Sequence, residues 1–278
     1  MIEVIRYSSP SAFLDAVRPL LMAAEAENNL LLGFAEGLAR GSPPAASPYL
    51  ATAQSGRDVR ACSAYLAPFK LLLSQSDRET IAALARDAFA AVPDLPGVTG
   101  PDPSASVFVD EWTRRSRAAA RTGMLLRILQ VSHVLIETAS ALRGRQREAV
   151  AADEPLLTSW TEQFLTESNF PEPVDAAKIV GDGISRRRLF VWDEGEPRSM
   201  AAWAGPTPNG VRLNFVYTPP GQRGRGYATA NVRALSRHHL SLGKKFCWVY
   251  IDRAASPSRL FERIGYRSVS DITEFYLR

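Results

Sequence analysis

Apolar residues recur along this chain with two periods, and the switching between them outlines a mixed helix-and-strand protein. Phe13, Leu14, Val17, Leu20 and Leu21 recur at three-and-four spacing, as do Leu31, Leu32 and Phe34, predicting helices over 9–40. Gly41-Ser42-Pro43-Pro44 ends that pattern. Short strands are predicted at 49–53, 59–66 and 69–73, the first pair punctuated by Gly56-Arg57-Asp58. Ser76 and Glu79 have capping-box spacing and predict a helix whose inner face is Ile81, Leu84, Ala85, Ala88 and Phe89. A short strand near Val98, a helix opened by Asp102-Pro103 and a strand at 124–131 close the first half.

The second half repeats this rhythm. Residues 143–153, with their basic cluster Arg143, Arg145 and Arg147, read as a solvated helix end and linker. A helix from Pro155 turns Leu156, Leu157, Trp160 and Phe164 inward, and a weaker one spans 173–184. Strands at 188–192 and 198–204 flank the turn Asp193-Glu194-Gly195-Glu196-Pro197. In the next strand, 211–218, Val211, Leu213, Phe215 and Tyr217 alternate with Arg212, Asn214, Val216 and Thr218. A helix over 227–242 carries the stripe Ala228, Val232, Leu235 and Leu242, with His239 on the same face and His238 toward solvent. The continuous apolar run 246–251 predicts a buried central strand. A short helix over 258–264 and two strands, 266–269 and 272–277, complete the chain. The fold class is α/β (α+β), divided at 1–145 and 146–278.

Composition narrows the functional classes. Of 278 residues, 46% are hydrophobic and 22% charged, which excludes disorder or a coiled coil as the main organisation. The 33 basic and 29 acidic side chains leave +4, a surplus that suits a small anionic ligand and gives little ground for a nucleic-acid partner. Two distant cysteines, Cys62 and Cys247, in apolar surroundings, supply neither a disulfide framework nor a structural metal site and are expected to be buried. The N-terminus has no basic flank leading into an apolar core, and no uncharged apolar run reaches bilayer length. The expectation is a cytoplasmic protein without a membrane partner.

The segment that carries chemistry is Thr218-Pro219-Pro220-Gly221-Gln222-Arg223-Gly224-Arg225-Gly226-Tyr227-Ala228-Thr229, between a predicted strand and a predicted helix. Glycines let successive N–H groups converge, and the following helix adds unsatisfied amides at its positive end. Arg223 and Arg225 add charge, and no carboxylate stands in the helix's first turn. That combination predicts a pyrophosphate cradle. The Gly-Lys-Ser/Thr ending of a P-loop is missing, and the position after an antiparallel meander does not suit a dinucleotide fingerprint.

At these residues the sequence resembles the GNAT superfamily of N-acetyltransferases. Arg223-Gly224-Arg225-Gly226-Tyr227-Ala228 is similar to its Gln/Arg-x-x-Gly-x-Gly/Ala motif. Val216-Tyr217-Thr218 resembles the strand end that pairs with the pantetheine arm, and Ser258-Arg259-Leu260-Phe261-Glu262-Arg263-Ile264-Gly265-Tyr266 resembles the late helix and its Gly-Tyr turn. The resemblance implies a GNAT fold, acetyl-CoA as cosubstrate, no metal, and direct attack by an amine acceptor in a ternary complex. It implies cofactor contacts by Val216, Tyr217, Thr218, Arg223, Gly224, Arg225, Gly226, Tyr227, Ala228, Thr229 and Ser258. The first half lacks the motif and reads either as a degenerate copy in tandem or as a separate mixed helical and strand domain, able to shape the acceptor pocket, to mediate a homodimer, or both.

Two positions depart from the family pattern. Phe261 stands where many relatives have a tyrosine acid, and the strand before the loop offers Arg212 and Asn214 where some have a glutamate base. Tyr250 and Asp252, at the end of the central strand, are the remaining catalytic candidates, while Tyr266 reads as core. These gaps leave a second reading open, a non-catalytic acyl-CoA-binding or regulatory module.

Overall fold

The computed structural model describes residues 1–41, 46–117, 119–135, 142–168, 174–253 and 258–277, the side chain of Ser258 excepted. It contains two compact units, neither continuous in sequence. The first comprises Met1–Ile128, Ile251–Ala255 and Ser268–Arg278; the second, Leu129–Tyr250 and Ser256–Arg267.

In the first unit β1 (Ile2–Arg6) precedes α1 (Pro10–Ala23) and α2 (Asn29–Arg40), and then come β2 (Tyr49–Ser55), β3 (Asp58–Tyr65) and β4 (Leu71–Leu73). Next are α3 (Arg78–Ala91), β5 (Gly97–Pro101), α4 (Ser104–Ser116) and β6 (Ala120–Val131). Strands β1 to β4 are joined antiparallel, and β4 pairs β5 in parallel. One sheet face buries Phe13, Val17, Leu21 and Leu32 of α1 and α2; the other buries Ile81 and Leu84 of α3 with Phe108 and Trp112 of α4. Phe108 and Trp112 stack at 5.9 Å.

The second unit repeats the plan. Strand β7 (Arg145–Glu148) is followed by α5 (Glu154–Glu167), α6 (Ala176–Ser185), β8 (Leu189–Asp193), β9 (Pro197–Ala204), β10 (Gly210–Tyr217), α7 (Tyr227–Ser241), β11 (Phe246–Asp252) and α8 (Ser258–Ile264). Strands β7 to β10 form an antiparallel meander, and β10 pairs β11 in parallel. Leu157 and Trp160 of α5 and Val180 of α6 cover Leu189, Val191, Met200 and Tyr217 on one face. On the opposite face α7 buries Val232, Leu235, Ser236 and His239. The fold is therefore mixed α/β, with mostly antiparallel sheets and helices on both faces.

Several expectations need correction. The last strand is one element, β12 (Arg267–Leu277), and it pairs antiparallel with β5 of the first unit, from Ile272↔Pro101 to Tyr276↔Gly97. Ser270-Asp271 does not break it, because Asp271 takes both ends of the Arg127 guanidinium at 2.6 and 2.9 Å. The supposed linker around Arg145 contains the edge strand β7, where charges are tolerated because one edge stays unpaired. Arg147 there bridges Asp153 and Asp193, each at 2.6 Å, which holds the Asp153 carboxyl below its ordinary range. The cap of α3 is Asp77, whose Oδ1 accepts from the Thr80 amide at 2.9 Å, rather than Ser76, whose own amide donates to Ser104 Oγ. Strand β1, which pairs antiparallel with β2, adds an element that the sequence pattern does not predict. The expected break at Ser42-Pro43-Pro44 and the start of the helix at Pro173 lie outside the described residues. Both cysteines are buried, and burial lifts each thiol to about 12. No helix of the described residues is long and apolar enough to cross a membrane.

Candidate functional site

The glycine-rich segment joins β10 to α7 within the second unit. Pro220–Gln222 makes a single 3-10 turn in which the Gln222 and Arg223 amides donate to the Pro219 and Pro220 carbonyls. The backbone then needs two left-handed steps, Gly224 at φ +76° and Gly226 at φ +90°. Only glycine adopts these without strain. A Cβ built on Gly221, Gly224 or Gly226 meets nothing within 4 Å, so open space lies before the turn. Gly226 caps α7, its carbonyl accepting from the Ala230 amide at 2.9 Å, and the helix's first turn holds no acidic residue. The preceding amides of such a helix have no intrahelical acceptor, which favours an anion there.

The loop is anchored from both sides. Arg223 donates through Nε to the Thr218 carbonyl at 2.9 Å and through its terminal nitrogen to both Glu167 oxygens at 2.9 and 2.7 Å. Its guanidinium lies 5.5 Å from the Tyr217 ring centroid. Tyr217 is buried, with its hydroxyl donating to Gln163 at 2.8 Å and Glu167 at 3.1 Å. Burial, reinforced by Glu167, raises that phenol above its ordinary range. Thr218 Oγ1 donates to Ser199 Oγ, which donates to the Tyr217 carbonyl, each at 2.9 Å. Asn231 of α7 donates to the Ser199 carbonyl at 3.2 Å and accepts from Gln146 Nε2 at 2.6 Å. The Tyr227 hydroxyl donates to Glu194 at 2.7 Å. Arg225 is exposed and has no ion-pair partner among the described residues.

Beside this loop the two parallel strands part. Their register ends at Leu213↔Val249. On its other side β10 takes an extra residue, the register moving from Asn214↔Ala202 to Tyr217↔Met200. Phe215 in that bulge has φ +47°, a conformation that disfavours a bulky side chain, and its ring packs 5.5 Å from Phe164. Val216 follows half-buried. The peptide groups of 214–216 therefore lie beyond the end of the parallel ladder.

The other candidates are placed less directly. Ala228 and Thr229 sit half-buried in the first turn of α7, and Ser258 begins α8 with its side chain outside the described residues. Tyr250 is half-buried, its ring centroid 6.0 Å from the Arg212 guanidinium carbon, and Asp252 is exposed at the end of β11. Phe261 is buried against Tyr266 at 5.4 Å, and the Tyr266 hydroxyl shares a 2.8 Å hydrogen bond with Ser236 in the core, where burial raises it well above its ordinary range. His239 is buried against Trp203 at 5.0 Å, and burial lowers its imidazole to about 4.

Comparison with known proteins accords with this geometry. A family model described as FR47-like protein matches residues 191–276. No curated protein matches the sequence. Among solved structures, a GNAT-family acetyltransferase from Colwellia psychrerythraea aligns over 99% of this chain and 100% of its own, with TM-score 0.59 and 12% identity. A GCN5-related N-acetyltransferase from Sphaerobacter thermophilus covers 100% and 95%, with TM-score 0.60 and 15% identity. A tandem GNAT protein from the clavulanic acid biosynthesis pathway covers 100% and 98%, with TM-score 0.50 and 12% identity. This chain has the GNAT fold. The family-model match runs from within β8 to within β12, and so includes the glycine loop of the second unit.

Four supporting residues escaped the reading of the GNAT motif: Glu167, Ser199, Asn231 and Glu194. Glu167, Ser199 and Glu194 reach the loop or its flanking elements from far away in sequence, the Glu167–Arg223 pair spanning 56 positions, and Asn231 of α7 reaches back to Ser199. Only Glu194, within a recognised turn, left even a compositional trace.

Proposed function

We propose that the second unit transfers an acetyl group from acetyl-CoA to an amine. The observation that carries this reading is the pair of left-handed glycines opening onto free space at the start of α7. The donor set fits a diphosphate: backbone amides around Gly224 and Gly226, with the unpaired Arg225 beside them. Val216, Tyr217 and Thr218 lie beyond the end of the parallel ladder and would take the pantetheine arm as an added strand takes a sheet edge. Bound there, acetyl-CoA supplies an acetyl thioester.

The chain's own contribution is positioning. Arg223, Tyr217 and Glu167 fix the loop to β10, and the network through Ser199 and Asn231 fixes β10 to α7. An amide released from the ladder by the bulge at Phe215 would donate to the reacting carbonyl oxygen as negative charge grows on it. At the position of the family's acid, Phe261 has no proton to give, and the Tyr266 hydroxyl shares its hydrogen bond with Ser236 in the core.

The test is release of free thiol from acetyl-CoA by the full chain, with and without a mixture of amines, alongside calorimetric binding of coenzyme A. Binding with amine-dependent release supports the reading. Failure of coenzyme A to bind would overturn it. Phe261 at the family's acid position, with Arg212 and Asn214 in place of a glutamate, favours a second reading, a non-catalytic acyl-CoA-binding or regulatory module, for which binding would occur without release on any amine.

A further inference from the structure

The face of β10 that carries Arg212 and Asn214 is short of partners. Arg212 Nε and Asn214 Oδ1 are both buried without a hydrogen-bond partner. Arg212 stands in register with Trp248 of β11, which is fully buried and whose Nε1 also lacks an acceptor. No described residue forms an ion pair with Arg212. Its guanidinium is backed by the Tyr250 ring, and a Cβ on Gly205 would come within 3.9 Å of its Cζ.

Alternation places these groups together. Gly210, Arg212 and Asn214 share one face, and a Cβ on Gly210 would lie 2.3 Å from the Phe246 ring and 2.6 Å from the Trp248 ring. On the other neighbour, β9, the residues opposite Arg212 and Asn214 are Ala204 and Ala202. Both side chains are small, and Ala202 is buried in the cluster with Leu157, Trp160 and Val180. Native structures rarely leave buried polar groups unsatisfied, and an unpaired guanidinium in half-buried surroundings is costly. Three such groups on adjacent positions of one face need a common explanation.

Their chemistry supplies it. Arg212 and Trp248 are donors without an acceptor, and Asn214 Oδ1 is an acceptor without a donor. The groups follow the strand in order: Arg212 lies before the last parallel register pair, Leu213↔Val249, and Asn214 lies just beyond it, past the end of the ladder. We propose that this face is the acceptor subsite and that the acceptor is an amino acid or a close analogue, an amine carrying a carboxylate. The carboxylate sits on the Arg212 guanidinium, whose planar fork matches its two oxygens, with the Trp248 N–H as a further donor. The amine donates to Asn214 Oδ1. This inference rests on the acetyltransferase reading for its meaning, but the subsite makes a claim of its own.

The experiment uses the full chain and two probe sets, the common α-amino acids and their carboxamides, each titrated by thermal shift with and without coenzyme A. At least one acid is expected to raise the melting temperature with an apparent affinity about tenfold or more above that of its amide, since the amide deletes the charge on Arg212. Arg212→Leu should abolish the acid preference and leave coenzyme A affinity unchanged. It should also raise the unliganded melting temperature, whereas a structural arginine would lower it. Trp248→Phe, which keeps the ring and deletes the N–H, should weaken the same acid severalfold. Equal affinity of every acid and its amide in the wild type would overturn the subsite, as would an acid preference that survives Arg212→Leu. Acid preference without coenzyme A binding would overturn the transferase reading and leave the subsite standing; coenzyme A binding with no acid preference would do the reverse.

Discussion

Substituting Gly226 separates backbone strain from ligand binding. Gly226 has φ +90°, and a Cβ there meets no atom within 4 Å. Alanine therefore creates no clash and suffers only the left-handed penalty of an L-residue, about 1–2 kcal/mol. In a chain of this size that lowers the melting temperature by roughly 2–4 °C per kcal/mol. Asparagine tolerates this region better and should be milder. Aspartate has nearly the same shape but places a negative charge before the amides. A unit charge about 4 Å from a phosphate charge, at an effective dielectric near 20, is repelled by about 4 kcal/mol. That corresponds to about a thousandfold in affinity. Coenzyme A binding, measured by calorimetry, should therefore fall in the order glycine, asparagine, aspartate, and the aspartate loss should shrink in high salt. Gly221→Ala, also open but with no positive φ, serves as the control for folding and should change little. A folded Gly226→Asp protein that binds coenzyme A as tightly as the wild type would refute the reasoning.

Three further outcomes follow from the same structure. Asn231→Ala strips the fully buried amide that joins Gln146 to the Ser199 carbonyl, and denaturant unfolding should show a loss of about 2–3 kcal/mol. His239 holds its imidazole near 4 in the folded protein against an ordinary 6.5, so the folded form binds fewer protons in that window; stability is full above pH 6.5 and declines as pH falls toward 4. His239→Leu should flatten that decline relative to the wild type in urea unfolding, and parallel pH profiles would contradict the assignment. Deleting 267–278 removes β12 from between β5 and β6, together with the Asp271 partner of Arg127, so amide exchange over Gly97–Pro101 should lose its protection.

How much of this was legible in the sequence depended on the range of the forces involved. Helices with a clear apolar stripe, such as Arg78–Ala91 and Tyr227–Ser241, and the meander over β8 to β10 could be read because their periodicity is local. The glycine loop was legible because Gly, Pro and Arg punctuate it so strongly. What eluded the reading was set by distant contacts. Arg223 looks from its spacing like a free cation for an anion, yet it is held by Glu167 of α5. The basic run at Arg143–Arg147 imitates a solvated linker because the carboxylates that pair with Arg147 lie at 153 and 193. Alternation alone could not show the bulge at Phe215, which shifts the register and ends the simple inward-outward pattern of β10. Nor could any local signal show that the last strand would join the first unit, since strand pairing is chosen among competing edges by tertiary packing. In the sequence Arg212 and Asn214 stand out only as residues that are not a base. Their missing partners became visible when the register set them beside Trp248.

The account depends on amides around Gly224 and Gly226 gripping a diphosphate, and one calorimetric series tests that grip directly. Coenzyme A, its 3′-dephospho form and pantetheine are titrated into the full chain under identical salt. The two diphosphate-bearing compounds should bind within about tenfold of each other, and pantetheine, which lacks the diphosphate, about a hundredfold or more weaker. Pantetheine binding as tightly as coenzyme A would contradict it.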